Sequence, residues 1–230
     1  MTQIIVKSLY RPFLLLCLDP MCLNLCLFSS LLLGILYLFF GAFNLVFSKV
    51  YGFNLYQVGL TFVGLLVGML FAIASDPLWQ RNYLRLVRNN SNKSEPEYRL
   101  PPSIGGAILT VIGLFWFAWT TIPSVHWLVP MIGASFFGAG TVLVFSGVFT
   151  FLVEAFPLYA ASALAANSFA RSTFAAVFPL FGLQLYHKLG FQWASSLLAF
   201  LTLAMAPFPY IFFIYGQRLR QKSRFSSTNK

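Results

Sequence analysis

The chain has 230 residues, of which 59% are hydrophobic and 9% charged, and its mean hydropathy is +0.78. At that length and composition a soluble domain is excluded, because too little polar area remains to cover a core. The formal net charge of +10 would suggest nucleic acid in a soluble protein. Here the basic residues bracket apolar stretches, so they read as orientation signals and no nucleic-acid partner is expected.

A bilayer core of roughly 30 Å takes about 20 apolar residues of helix to cross. Six stretches qualify, at 20–42, 54–75, 103–123, 127–153, 158–185 and 192–215. Lipid offers backbone amides no partner, so such runs are predicted as helices, and none shows the alternation of a barrel strand. The expected organisation is all-α and integral to the membrane. Residues 1–19 form a cytosolic or membrane-surface segment, 20–216 a six-helix bundle with a basic cytosolic loop at 76–102, and 217–230 a basic cytosolic tail.

In the first segment Lys7 and Arg11 flank Leu9 and Tyr10, and Arg11-Pro12 is expected to interrupt any continuous helix. Asp19-Pro20 then reads as a helix start, an N-cap acceptor followed by proline at the first helical position. The cysteines Cys17, Cys22 and Cys26 lie on an apolar segment without a fourth ligand, so they read as small packing residues rather than a zinc site. No metal or cofactor is expected. The apolar N-terminal run lacks a small-residue cleavage site and does not read as a signal peptide. The far end of the first span carries Tyr37, Phe39, Phe40, Phe43 and Phe47, suited to an interfacial belt and to lining a cavity.

The second span has Gly64 and Gly68 in the spacing that lets helices approach closely. Asp76-Pro77 repeats the cap-then-proline start. In the following stretch Trp79, Tyr83, Leu86 and Val87 fall on one helical face, and Arg81, Arg85 and Arg88 on the other. This predicts an amphipathic helix lying on the inner leaflet, its arginines against anionic lipid. The third and fourth spans join through a tight turn at 123–126. The fourth contains Gly133, Gly138, Gly140 and Gly147, and the fifth is rich in alanine from Ala160 to Ala176. Pro179 and Gly182 in the fifth span, and Pro207 and Pro209 in the sixth, favour kinks.

With a cytosolic N-terminus, twelve basic residues fall inside: Lys7, Arg11, Arg81, Arg85, Arg88, Lys93, Arg99, Arg218, Arg220, Lys222, Arg224 and Lys230. Only Lys49 and Lys188 fall outside. That asymmetry places both termini in the cytosol.

Ionisable groups at membrane depth are costly and mark candidate functional sites. Arg171 lies about 20 Å along the fifth span at 1.5 Å per residue, too deep for easy snorkelling. A cavity or gating role and a structural anchor are both open for it. Asn167, four residues earlier, shares its helix face. Glu154 closes the fourth span near the cytosolic surface, at a different depth from Arg171, and reads as structural. Asn44, Gln57 and Gln184 suit interhelical hydrogen bonding as well as ligand contact. His126 and His187 lie at helix ends near the outer face. No nucleophile–base pair or phosphate-cradling loop appears, so an enzyme is not expected.

Across residues 11–217 several stretches occur in a recognisable order. Arg11-Pro12-Phe13 precedes the run from Gly34 to Phe40, and Tyr51-Gly52-Phe53 precedes Gly59-Leu60. Gly113 to Thr120 reads GLFWFAWT, and Tyr159 to Asn167 reads YAASALAAN, followed by Arg171-Ser172 and Phe178-Pro179-Leu180-Phe181. In these stretches the chain resembles the C-terminal half of the fungal drug:proton antiporters of the major facilitator superfamily, a group with multidrug and polyamine exporters. The resemblance implies a six-transmembrane-helix half of a major-facilitator fold. It implies proton-coupled export of drugs, polyamines or other small organic cations by alternating access, with the site near the midplane between repeat halves.

On that basis Arg171, Asn167 and Tyr37 are the expected cavity residues. Glu154, Asp76, Arg81 and Arg85 are polar residues with a gating or structural role. The expected partners are anionic inner-leaflet lipid at Arg81, Arg85 and Arg88, a small-molecule substrate and protons, with a missing N-terminal half or a second copy. The plasma membrane is the expected location, with the vacuolar membrane as alternative. Gly41 stands where relatives commonly carry a glutamate, and Asn44 where a proline is usual, which puts carboxylate-based coupling in question. A truncated exporter is the leading expectation. A non-transporting remnant acting as an interaction or regulatory protein, and a homodimeric half-transporter, are the alternatives.

Overall fold

A computed structural model describes the backbone of residues 2–222 and the side chains of residues 10–221. The side chains of Lys7, Leu9, Lys222, Arg224 and Lys230, named above, lie outside the described set. Among the described residues every regular element is helical: α1 (Thr2–Leu18), α2 (Pro20–Tyr51), α3 (Leu55–Ala74), α4 (Asp76–Asn89), α5 (Pro101–Thr120), α6 (Leu128–Ala155), α7 (Ala160–Met205) and α8 (Pro207–Lys222). Short 3₁₀ turns at Pro96–Arg99 and Pro157–Tyr159 lead into α5 and α7.

Five helical runs are long and apolar enough to cross a membrane, and the last covers Pro157–Gln221, 65 residues. At 1.5 Å per residue that run would measure about 98 Å if straight, so it does not make a single crossing. Gly190 breaks α7 with φ 77° and ψ 170°, a conformation only glycine adopts readily. Across the break Tyr186 Oη lies 3.0 Å from Ser195 Oγ, whereas nine residues of unbroken helix would hold them about 13 Å apart. The chain therefore doubles back, and residues 160–189 and 191–205 pass as two helices. A turn at Ala206 then separates Met205 from α8, so the helix is interrupted where Pro207 is expected to favour a kink.

Other boundaries have local causes. Asp19 caps α2 as expected, its Oδ1 accepting from the N–H groups of Met21 (3.0 Å) and Cys22 (2.9 Å). The second expected cap shifts by one residue. Ser75 occupies the N-cap position of α4, while Asp76 is the first helical residue, where its exposed carboxylate still faces the positive end of the helix dipole. Pro12 does not interrupt α1, which runs through it as one helix. Proline removes a single backbone bond, and membrane helices tolerate that loss when neighbours pack around it. Phe13 packs edge-on against Phe169, and Arg11 lies over the Tyr159 ring at 5.3 Å. Gln57 serves locally: its Oε1 accepts from Asn54 N–H while Asn54 Oδ1 accepts from Gln57 N–H, a reciprocal cap for α3.

Small residues set the helix spacing. A Cβ on Gly106 would lie 2.5 Å from the Gly140 carbonyl, and one on Gly140 would lie 2.5 Å from the Gly106 carbonyl. A Cβ on Gly133 would likewise lie 2.7 Å from the Phe117 backbone nitrogen, so α5 and α6 meet backbone to backbone. Gly64 and Gly68 do the same for α3 on α6, against Met131 and Ser135, and Ser135 Oγ donates to the Gly64 carbonyl at 2.6 Å. Between these pairs lies an aromatic core: Phe39, Phe43 and Phe47 of α2 are fully buried, Phe39 and Phe43 contact Phe117, Phe137 and Phe62, and Phe47 extends the stack to Tyr51 and Phe53. The aromatic end of α2 is thus divided, with Tyr37 and Phe40 left exposed.

Candidate functional site

The alanine-rich first half of α7 lies against α2, and close approach is possible because the facing residues are small. Gly34 sits under the Phe178 ring, and Gly182 under Leu38. In this interface Asn167 is 1% exposed. Its Nδ2 donates to Ser29 Oγ at 2.9 Å and approaches Cys26 Sγ at 3.5 Å. Ser29 and Ser30 donate in turn to the Cys26 carbonyl, at 3.0 and 2.6 Å. The asparagine thereby pins α7 to α2 through side chains, while its own Oδ1 has no hydrogen-bond partner among the described residues.

One turn further along α7, Arg171 is half-buried. Its guanidinium carbon lies 4.9 Å from the Phe145 ring centre and 4.6 Å from that of Phe149, both on α6. Two ring faces stabilise the cation electrostatically but supply no hydrogen-bond acceptor, and Nε is buried without one. Asn167 and Arg171 share a face of α7 yet point their polar groups at different neighbours. Tyr37, on α2, is 45% exposed and meets Phe40 edge-on at 5.7 Å. Gly41 is exposed, and a Cβ there would meet only Leu183, at 3.7 Å, so a longer side chain has room. Cys22 and Cys26 are buried with their sulfurs 3.9 Å apart, whereas Cys17 is exposed.

The second polar group lies where α4, the 96–99 turn, the end of α6 and α8 converge. Arg99 Nε donates to Glu154 Oε1 at 2.7 Å, and Nη1 to Gln80 Oε1 at 3.3 Å. The same guanidinium lies 3.6 Å from the Tyr83 ring centre, so one side chain ties α4 to α6. Deeper in, Arg220 of α8 grips Glu97 through two bonds, Nε to Oε1 at 2.7 Å and Nη2 to Oε2 at 2.8 Å. Both residues are almost fully buried. Space for the carboxylate exists because residue 216 is glycine: a Cβ there would lie 2.6 Å from Glu97 Oε1. Glu154 thus has Arg99 as partner, not Arg171. Asp76, Arg81 and Arg85 stay exposed outside the cluster.

Sequence reasoning treated Arg99 and Arg220 as charges for orientation and passed over Glu97, Ser29, Phe145 and Phe149. A usable signal existed in the charge count. With fifteen basic and five acidic residues, each carboxylate near a basic cluster is a candidate for ion pairing.

Comparison with known proteins places this geometry. The chain is 63% identical over 230 residues to an efflux pump of Aspergillus terreus, atB, covering 97% of this chain and 48% of that protein. It is 45% identical over 222 residues to a probable drug/proton antiporter of Saccharomyces cerevisiae, covering 96% of this chain and 43% of the relative. A major facilitator superfamily multidrug transporter of Aspergillus fumigatus is 42% identical over 220 residues, covering 96% and 36% respectively. The chain spans about half the length, or less, of these curated relatives. No protein-family model matches the chain, and no solved structure does. The relatives are named as pumps and transporters, not as enzymes.

Proposed function

Because the chain belongs to the fungal transporters of the major facilitator superfamily, we propose that it forms the C-terminal wall of a proton-coupled exporter of small organic molecules. Drugs, polyamines and similar amphiphilic cations are the substrate class that the resemblance implies. The observation that carries this reading is the 63% identity to an efflux pump along essentially the whole chain. In this proposal the wall works against a complementary half, which closes the cavity from the other side.

Within that cavity Arg171 is the fixed interior charge. Its two aromatic neighbours and free Nε leave the guanidinium able to exchange partners as the walls rock. Asn167 holds α7 on α2 behind it, and Tyr37 offers an exposed ring face to an organic cation. Arg99 and Glu154 brace the inner end of α6. The basic side faces the cytosol of a plasma-membrane protein, with the arginines of α4 on the inner leaflet.

Efflux from cells expressing the chain together with an N-terminal half from one of its relatives tests the reading. Drug accumulation is expected to fall when both halves are present, and to return when the proton gradient is collapsed. Unchanged accumulation in the presence of both folded halves would overturn it. Orientation is tested separately at Asn89 and Asn92, whose acceptor patterns stay unmodified if the loop is cytosolic. A mass shift on glycosidase treatment would reverse the topology.

A further inference from the structure

On the side of the bundle away from the Asn167 interface, α3, α5 and α6 enclose a groove of about 760 Å³, with α4 across its end. Its walls include Phe71 of α3, Leu109 of α5 and Phe136 of α6, and the α4 end is closed by Leu78, Trp79 and Asn82. That volume lies within the range of about 300–1,000 Å³ of sites that bury small molecules.

Apart from Asn82 at the α4 end, the polar side chains of the groove are already engaged inside the protein. Ser135 Oγ donates to the carbonyls of Gly64 (2.6 Å) and Met131 (3.0 Å), and Ser75 Oγ donates to Ala72 O at 2.6 Å. Trp79 Nε1 donates to Ser75 Oγ at 3.1 Å. The Trp79 ring reaches α5 because residue 105 is glycine, where a Cβ would come within 2.9 Å of it. Away from Asn82, what faces outward is hydrocarbon. The polarity changes abruptly at the α4 end. Arg81 stands three residues after Leu78 and Arg85 three residues after Asn82, so each sits one turn beyond a lining residue, beside the groove's α4 edge and off the face that carries Trp79. Both are exposed, and neither has a carboxylate partner among the described residues.

An apolar slot flanked at its polar end by two exposed arginines without a carboxylate partner among the described residues fits one ligand chemistry, a hydrocarbon chain with an anionic head. We propose that this groove is a discrete site for an anionic phospholipid, with one acyl chain lying between α3, α5 and α6 and the phosphate held by Arg81 and Arg85. Arginine suits the headgroup because its planar fork binds phosphate oxygens in pairs. The inference rests on the membrane placement of α4 and goes beyond a general attraction to the inner leaflet. It assigns the lipid a seat, and the seat does not require transport.

The test places the full chain in phosphatidylcholine bilayers that carry a small fraction of either phosphatidylserine or phosphatidylcholine with brominated acyl chains. Bromine quenches nearby indoles, and the Trp79 contribution is obtained by difference from Trp79→Phe. Brominated phosphatidylserine is expected to quench Trp79 several-fold more than brominated phosphatidylcholine at equal fraction. Arg81→Gln with Arg85→Gln, two exposed positions whose folding is verified by unchanged helix content, is expected to level the two lipids. Ala139→Leu, which adds bulk to the groove wall, is expected to lower quenching by both.

Equal quenching by the two lipids in the unaltered chain would overturn the proposal, leaving ordinary surrounding lipid. A preference that survives in the double variant would also overturn it, because the headgroup would then be read elsewhere. So would complete protection of Trp79 from both lipids, which would mean that protein covers the groove. All three readings are independent of efflux, so they leave the transport proposal standing or falling on its own assay.

Discussion

The two polar regions of this protein handle charge in opposite ways. At the basic end four charged side chains form two closed pairs, Arg99 with Glu154 and Arg220 with Glu97, each holding separate helices together. In the span interior Arg171 has aromatic faces for company and a buried Nε without an acceptor. The first arrangement suits a part that stays assembled, since a buried pair with both members present is satisfied in one geometry only. The second suits a part that changes partners, since no acceptor among the described residues takes the Arg171 Nε proton. The contrast separates a brace from a candidate working group, and it can be broken residue by residue.

The largest effect is expected at the deeper brace. Glu97→Gln removes the carboxylate that accepts the Arg220 Nε and Nη2 bonds inside the bundle, at a cost of about 3–5 kcal/mol. Thermal unfolding in detergent should show this as a large fall in midpoint. Glu97→Gln combined with Arg220→Met should recover most of the loss, because the buried guanidinium is removed as well. If the single variant unfolds normally, the pair is not a brace.

Next comes helix contact. Gly106→Leu forces a side chain into the α5–α6 backbone contact and is expected to destabilise by about 1–3 kcal/mol, read in the same melt. Asn167→Ala deletes the hydrogen bond to Ser29 and should cost about 1 kcal/mol. Equal losses for Asn167→Ala, Ser29→Ala and the double variant would show that the two residues act through each other.

The smallest stability changes sharpen the comparison most. The Arg99–Glu154 pair is about one-quarter exposed on each side, so Arg99→Gln should cost about 1 kcal/mol or less, and less again in high salt. Arg171→Gln is expected to shift the melting midpoint little, because it breaks no ion pair, while reducing efflux at least tenfold in the paired-half assay. A large drop in stability with normal efflux would make Arg171 the anchor and end the contrast drawn here.

Much of the architecture was legible in the chain, for reasons that are local. Each span declares itself because a bilayer forces every backbone amide of that segment into its own helix. Asp19 caps its helix through atoms two and three residues away, and the amphipathic face of α4 is a matter of spacing alone. Gly64 and Gly68 announced a close contact without saying with which helix. The misreading was also local in origin. Pro12 was read as an interruption by its own chemistry, and neighbouring helices decided otherwise.

Tertiary structure alone decided the pairings. Glu97 and Arg220 are 123 positions apart, and Asn167 and Ser29 are 138 apart; no periodicity or spacing links such residues. Partner choice depends on which helix faces meet once the small residues have brought the backbones together. The sequence by itself determined that this protein is all-helical, with apolar runs that make it a multi-pass integral membrane protein. The packed bundle determined which charges are spent on holding it together, and left Arg171 as the interior charge whose buried Nε has no acceptor among the described residues.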